Sequence, residues 1–121
     1  MIPIPVELAG SWSLVSYASG TEALVSLIAD TEVTALFAEG RLRGHSGCNR
    51  YMTSYETAGQ SLHISPPAGT RTMCQLPDGL MAQEARFLEL LPIAASYSIR
   101  DGRFLELFDG MGTRILQFTR A

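Results

Sequence analysis

The 121-residue sequence contains no lysine, only two cysteines and a single tryptophan. Its nine basic residues are all arginines, and they are spread from Arg41 to Arg120 without forming a cluster in the sequence. A protein that binds nucleic acid usually concentrates positive charge in one patch, because neutralising phosphates supplies much of its affinity. With a net charge of −3, the chain is therefore not expected to bind nucleic acid.

Long apolar runs are also missing. The longest, residues 90–95, contains Pro92 and is far shorter than the roughly 20 apolar residues of a membrane-spanning helix. Residues 1–6 have neither a basic n-region nor a long apolar h-region, so a secretory signal is not predicted. We expect a cell-envelope or periplasmic location if Met1 begins a mature region, and a cytoplasmic one if Met1 is native.

Motifs of the common enzyme classes do not occur in the sequence. There is no Gly-x-Ser-x-Gly nucleophile elbow, no phosphate-binding loop and no paired metal knuckle. Gly110-x-Gly112 is predicted to be a hairpin turn, since no helix follows it. His45-x-x-Cys48 together with Cys74 matches no standard zinc spacing. We therefore predict no metal, no cofactor and no catalytic residues, and the chain is not expected to be an enzyme.

Length and composition favour one globular domain spanning residues 1–121. The sequence is 46% hydrophobic and 17% charged, which is ordinary for a folded protein. A chain of this length buries roughly two thirds of its unfolded surface, which is enough for a hydrophobic core.

Alternation of apolar and polar residues predicts strands over most of the chain. The roughly seven predicted short strands cover residues 11–17, 33–37, 51–56, 61–64, 96–100, 103–108 and 113–119, and a Glu39-Gly40 turn leads from the second into residues 41–43. Asp101-Gly102 between two of the last strands is a hairpin signal, because glycine accepts the positive φ of a tight turn. The last three strands are therefore predicted to form a β-meander.

One helix, at about residues 79–91, is predicted between the two β-rich parts. Pro77-Asp78-Gly79 is predicted to supply the N-cap, and Pro92 ends the run. On a helical wheel, Leu80, Met81, Phe87, Leu88 and Leu91 share one side, and Gln83, Arg86 and Glu89 share the other. A single helix must cover a curved sheet, so the predicted class is α+β, with a mainly antiparallel, strongly curved sheet that forms an incomplete barrel.

Glu84 lies on the apolar side of the predicted helix. An unpaired buried carboxylate is costly, so this side chain must meet a partner or hold a proton. We interpret it as a structural acceptor for an arginine or for backbone N–H groups of residues 70–74. The alternative interpretation is a general acid or base.

Cys48 and Cys74 each lie where the chain leaves or enters regular structure. A disulfide between them would stabilise the fold by roughly 3.5 kcal/mol in the chain-entropy model. The alternatives are two buried thiols, a redox pair or metal ligands. A redox pair normally has closely spaced cysteines, and the wide spacing argues against one.

Several short blocks of the sequence resemble the META domain family, which includes HslJ-like bacterial heat-shock proteins. The blocks are Gly10-x-Trp12-x-Leu14, Gly44-x-x-Gly47-Cys48-Asn49-Arg50-Tyr51, Thr72-Met73-Cys74, Glu84-x-x-Phe87-Leu88 and a closing hairpin over residues 107–118. The resemblance covers nearly the whole chain. It implies a compact curved sheet with one helix, usually found in bacterial lipoproteins or exported proteins, and no established catalytic residues.

The family is associated with stress response, antibiotic tolerance and, in some eukaryotic parasites, motility. The resemblance therefore favours a monomeric, non-enzymatic stress-related or envelope-associated protein that binds a protein or a small apolar ligand. The candidate disulfide is Cys48–Cys74. The candidate structural motif consists of Gly47, Asn49, Arg50, Thr72, Met73 and Glu84. The candidate residues of a binding surface are Tyr17, Tyr51, Tyr55 and Arg50.

Two other functions are compatible with the sequence. One is a thiol-redox protein or other small enzyme that uses Cys74, Cys48 or Glu84. The other is an interaction module that accepts a partner strand at an exposed sheet edge.

Overall fold

The computed structural model describes residues 8–20 and 23–121, which form one sheet of ten strands and one helix. The strands are β1 (Gly10–Tyr17), β2 (Val25–Ser26), β3 (Thr34–Ala38), β4 (Arg41–His45), β5 (Arg50–Ala58), β6 (Ser61–Ile64), β7 (Ala68–Gly69), β8 (Ser96–Arg100), β9 (Phe104–Phe108) and β10 (Arg114–Arg120). The helix α1 (Leu80–Leu90) continues into a 3-10 turn (Leu91–Ile93). Within the described ranges, no helix has the length and apolar character needed to cross a membrane.

All strand pairs are antiparallel, and their order follows a ring. The sequence of neighbours is β10-β9-β8-β6-β5-β4-β3-β1, and β1 also pairs with β10. The narrowest contact lies between β6 and β8, where only Ser61 and Ser96 are in register. The predicted α+β class, with a curved antiparallel sheet and one helix, is confirmed.

The core joins the inward side chains of the strands to one side of the helix. Phe87 of α1 makes edge-to-face ring contacts with Tyr51 of β5 and Phe118 of β10, at centroid distances of 5.4 and 6.5 Å. Such pairs add to the stabilisation from burying the rings, so α1 is fixed to both halves of the sheet.

The period-two predictions agree with the burial of the strands. Trp12 and Leu14 are buried in β1, as are Ala35 and Phe37 in β3. The predicted meander corresponds to β8, β9 and β10, which pair in that order.

The helix begins within the predicted N-cap block, but one side of it is predicted wrongly. The N-cap is Gly79, the last residue of Pro77-Asp78-Gly79, with φ of 86° and no capping side chain. Gln83, predicted to lie opposite the apolar side, is only 2% exposed. Its side-chain oxygen accepts a hydrogen bond from the Ile28 N–H, and its amide donates to the Thr31 hydroxyl. The loop between β2 and β3 therefore covers this side of α1, which no pattern within the helix could indicate.

Tyr17 and Tyr51 are wrong as exposed binding residues, because both are buried. A register shift in β1 between Leu14 and Ser16 breaks the simple alternation before Tyr17. Tyr51 lies opposite Gly44 of β4, and its hydroxyl donates to the Thr34 carbonyl of β3 at 2.7 Å. Burial also raises the pKa of Tyr51 far above its usual value.

Gly44 permits the close approach of β3 and β4 at this point. A Cβ atom on residue 44 would lie 2.2 Å from the carbonyl oxygen of Thr34 and 2.8 Å from its carbonyl carbon. The Tyr51 side chain crosses β4 above this glycine, which compensates for the missing side chain.

We expect Gly44→Ala to lower the free energy of unfolding by about 1–3 kcal/mol or more, because the added Cβ would clash with backbone atoms, which cannot rotate away. Guanidinium unfolding followed by circular dichroism measures the change. Gly110→Ala is the matched control, since nothing lies within 4 Å of its added Cβ. Equal midpoints for the two variants would contradict the proposed close approach.

Candidate functional site

A disulfide between Cys48 and Cys74 joins the β4–β5 turn to the segment that precedes α1, with the two Cα atoms 5.9 Å apart. Because the sulfurs are bonded to each other, neither cysteine is a free thiol or thiolate ligand in this structure. Among the residues that the structure describes, no group of three or more histidines, cysteines or acidic residues is arranged to hold a metal ion.

Asn49 connects three separate parts of the chain through its side chain. Its Oδ1 accepts hydrogen bonds from the Thr72 N–H at 2.7 Å and the Thr70 hydroxyl at 2.8 Å. Its Nδ2 donates to the Thr72 carbonyl at 2.9 Å and to Glu84 Oε1 at 2.8 Å. The side chain is almost fully satisfied, so Asn49 fixes the turn, the 70–74 segment and α1 relative to one another.

Glu84 is 3% exposed, and its carboxylate accepts hydrogen bonds from one turn of backbone. Oε2 accepts from the N–H groups of Cys48 at 3.1 Å and Asn49 at 2.9 Å, and Oε1 accepts from the Asn49 amide. The predicted acceptor of backbone N–H groups is therefore present, but the donors belong to residues 48 and 49 and not to residues 70–74. Several charge-assisted hydrogen bonds offset the cost of burying this carboxylate.

Gly47 and Ser46 set the shape of the turn. Gly47 has φ of 123°, a conformation that residues with a side chain rarely adopt. The buried Ser46 hydroxyl donates to the Asn49 carbonyl at 2.9 Å. Each residue of the Gly-Cys-Asn block therefore has its own structural role. Gly47 adopts the positive φ, Cys48 forms the crosslink, and Asn49 holds the hydrogen-bond network.

Two residues of the predicted motif do not join this cluster through their side chains. Met73 is 76% exposed, and Arg50 is exposed on β5. Arg50 takes part only through its backbone: its N–H donates to the Thr70 hydroxyl at 3.2 Å, and its carbonyl accepts from the Thr70 N–H at 3.1 Å. Thr72 contributes its backbone N–H and carbonyl.

The Arg50 side chain lines an open groove of about 700 Å³ on the outer face of β1, β3, β4 and β5. A neighbouring cavity of about 430 Å³ shares three of the lining residues and extends the groove along β4. We call this surface the outer groove and define it by Ser11, Leu36, Arg43, His45, Arg50 and Met52.

Strand register explains why these side chains meet. Ser11, Leu36, Arg43 and Met52 are direct cross-strand neighbours, and they form one row across four strands. Of the residues that line the larger cavity, Arg50 and the buried Tyr51 are predicted from the sequence as binding-surface residues. One sequence feature does indicate the groove: Leu36 is an apolar residue at an outward position of the period-two pattern. Its place in the same row as Met52, however, depends on the pairing register of β3, β4 and β5.

We expect Glu84→Gln to lower the free energy of unfolding by roughly 1–3 kcal/mol, because its new amide group would face the Asn49 amide, another donor. A rotation that exchanges the oxygen and nitrogen of the Asn49 amide would not relieve this clash of donors, since the oxygen already accepts two hydrogen bonds. Glu89→Gln is the control: that residue is exposed, and its pair with Arg86 is a surface ion pair worth little. Equal unfolding midpoints for the two variants would contradict the structural role of Glu84.

We expect alkylation of protein from its natural host to add mass only after reduction, because both cysteines are bonded. Reduction or Cys74→Ser should then lower the free energy of unfolding by up to about 3.5 kcal/mol. Intact mass and denaturant midpoints are the two measurements. Two alkyl groups added without reduction would show that the disulfide is not formed in the cell.

Comparison with solved structures gives three similar folds. A protein from Burkholderia xenovorans, solved by NMR, is 25% identical with a TM-score of 0.72, covering 100% of this chain and 92% of that one. A second protein solved by NMR is 20% identical with a TM-score of 0.67, covering 98% and 95%. A DUF4847 family protein from Bacteroides vulgatus, solved by crystallography, is 15% identical with a TM-score of 0.63, covering 93% of each chain.

The last two similarities concern the fold alone. A search among curated proteins finds no match to this sequence. The family model of the META domain, however, matches residues 6–121, which is nearly the whole length. The resemblance seen in the short sequence blocks is thereby confirmed, and the chain belongs to the META domain family.

Proposed function

We propose that this META domain is a non-enzymatic binding module with a stress-related or envelope-associated role, and that the outer groove binds a segment of a partner protein. The observation that carries the proposal is the row of exposed and half-exposed side chains that includes Leu36 and Met52. Met52 is 56% exposed, although it lies within strand β5 and is paired on both sides. Exposed apolar side chains grouped in this way are typical of interaction surfaces.

The chemistry of the buried cluster supports binding over catalysis. The Glu84 carboxylate is 3% exposed and engaged by three N–H donor groups, so a substrate could contact it only by displacing these hydrogen bonds. Cys48 and Cys74 form a crosslink that encloses a long loop, unlike the closely spaced cysteines of redox enzymes. The cluster formed by Asn49, Glu84 and the disulfide stabilises the β4–β5 turn, whereas the outer groove lies on the outer face of β5.

The openness of the groove favours a protein partner over a small apolar ligand. Pockets for small molecules usually bury most of the ligand surface in a concave cavity. The outer groove is instead an exposed face about four strands wide, or roughly 14 Å across at the usual strand spacing. A surface of this shape contacts one side of an extended segment and leaves the other side free.

Site-specific photo-crosslinking in the natural host tests this function. A photoreactive amino acid at position 52 should give a discrete protein adduct, identified by mass spectrometry, because Met52 lies in the groove. The same amino acid at position 111 is the matched control, since Met111 is 92% exposed but lies in the β9–β10 turn outside the groove. Equal crosslinking at both positions, or none at position 52, would contradict the proposal.

A further inference from the structure

We propose that the partner segment is acidic and extended, and that Arg41, Arg43 and Arg50 bind its carboxylates. This inference rests on the proposed function, because it names the chemistry that the outer groove recognises. Arg43 and Arg50 line the groove itself, and Arg41 lines the cavity that extends it along β4.

The three arginine side chains form no ion pair with any residue in the described ranges, 8–20 and 23–121. Three other arginines have acidic partners, whereas Arg71 and Arg103, outside the groove, form no ion pair within the described residues either. Arg86 pairs with Glu89, and Arg100 and Arg114 both pair with Glu106. The arginines of the outer groove therefore present unneutralised positive charge on a protein whose net charge is −3.

The direct cross-strand neighbours of these arginines carry no acidic group, and the one acidic diagonal neighbour in β5 is Glu56, which is exposed beside Arg41. The direct neighbours are Ala38 and Ser54 beside Arg41, Leu36 and Met52 beside Arg43, and His45 beside Arg50. The acidic residue that lines the extension is Glu39, which is exposed at the β3–β4 turn. Positive charge thus predominates along the groove, and it would attract an anionic segment.

The spacing of the arginines fits side chains on one side of an extended peptide. Arg41 and Arg43 are two positions apart on β4, which corresponds to about 6.6–6.8 Å along a strand. Arg43 and Arg50 are diagonal cross-strand neighbours, about 7–8 Å apart. Alternate residues of an extended segment have the same separation, so carboxylates at positions i and i+2 can reach two arginines.

Arginine also suits this task chemically. Its planar guanidinium can hold a carboxylate through two parallel hydrogen bonds, and its aliphatic stem can lie along apolar surface. Leu36 and Met52 flank Arg43 on either side and supply that surface. The groove therefore fits a segment in which acidic residues alternate or mix with apolar ones.

A peptide is favoured over a nucleic acid because the basic surface is small and contains apolar side chains. Binding a phosphate backbone usually depends on six or more cationic contacts, roughly, for useful affinity at physiological salt. The outer groove and its extension provide three arginines, with Leu36 and Met52 between them.

The experiment is an NMR titration of the ¹⁵N-labelled full chain with three pools of eight-residue peptides. Each pool mixes Leu, Val and Phe in random order with one polar residue, which is Glu, Gln or Lys. We expect the Glu pool to shift the amide signals of Leu36, Arg43 and Met52 with at least a threefold lower apparent Kd than the Gln pool. Raising NaCl from 50 to 300 mM should remove most of this difference, because the charges are exposed.

Arg43→Gln should weaken binding of the Glu pool by roughly 3- to 10-fold and weaken binding of the Gln pool less, because only the Glu pool loses a charge contact. Arg103→Gln is the matched control, because Arg103 lies near the β8–β9 turn outside the groove. An unchanged ¹⁵N spectrum away from position 43 verifies that the variant is folded.

The outcomes separate this inference from the proposed function. Groove shifts that are equal for the Glu and Gln pools, or stronger for the Lys pool, would overturn the acidic specificity while supporting groove binding. An absence of groove shifts with all three pools would count against both. Equal groove shifts with a 12-nucleotide DNA strand at 150 mM NaCl would assign the arginines to phosphate and overturn the peptide inference.

Discussion

The buried carboxylate of Glu84 is the interaction on which the middle of this structure depends. It projects from the helix and accepts hydrogen bonds from two consecutive backbone N–H groups, at residues 48 and 49. A hydrogen-bonded carboxylate can neutralise the dipoles of a tight turn, much as an anion does when it binds exposed N–H groups. The disulfide and the Asn49 network then fix the 70–74 segment to the same turn.

This arrangement also determines where β5 begins. Asn49 faces the buried cluster, whereas the side chain of the next residue, Arg50, emerges on the outer face. Tyr51 then returns to the core and reaches across β4 to β3. Three consecutive residues therefore have three different roles. Asn49 binds the turn to the helix, Arg50 lines the outer groove, and Tyr51 packs in the hydrophobic core.

Much of the fold was predictable from the sequence, because local patterns determine strands and turns. The alternation around Phe37 and the Asp101-Gly102 turn were sufficient to place strands and the meander. The burial of Glu84 also followed from its position on the helical wheel. Gln83 was misplaced because its partners come from a loop more than 50 positions away in the chain. Cross-strand register, which assembles the outer groove, depends on such long-range pairing and leaves no local signal.

The pairing of β1 with β10 has a consequence for how the chain matures. Trp12 lies opposite Arg120, so the two strands that complete the ring come from opposite ends of the described sequence. During synthesis, β1 can pair with β3 early, but its other edge remains open until β10 has left the ribosome. Open edges of this kind can pair with strands of other chains. The growing domain is therefore vulnerable to aggregation until β10 is made, because most of its buried hydrophobic residues precede β10 in the sequence.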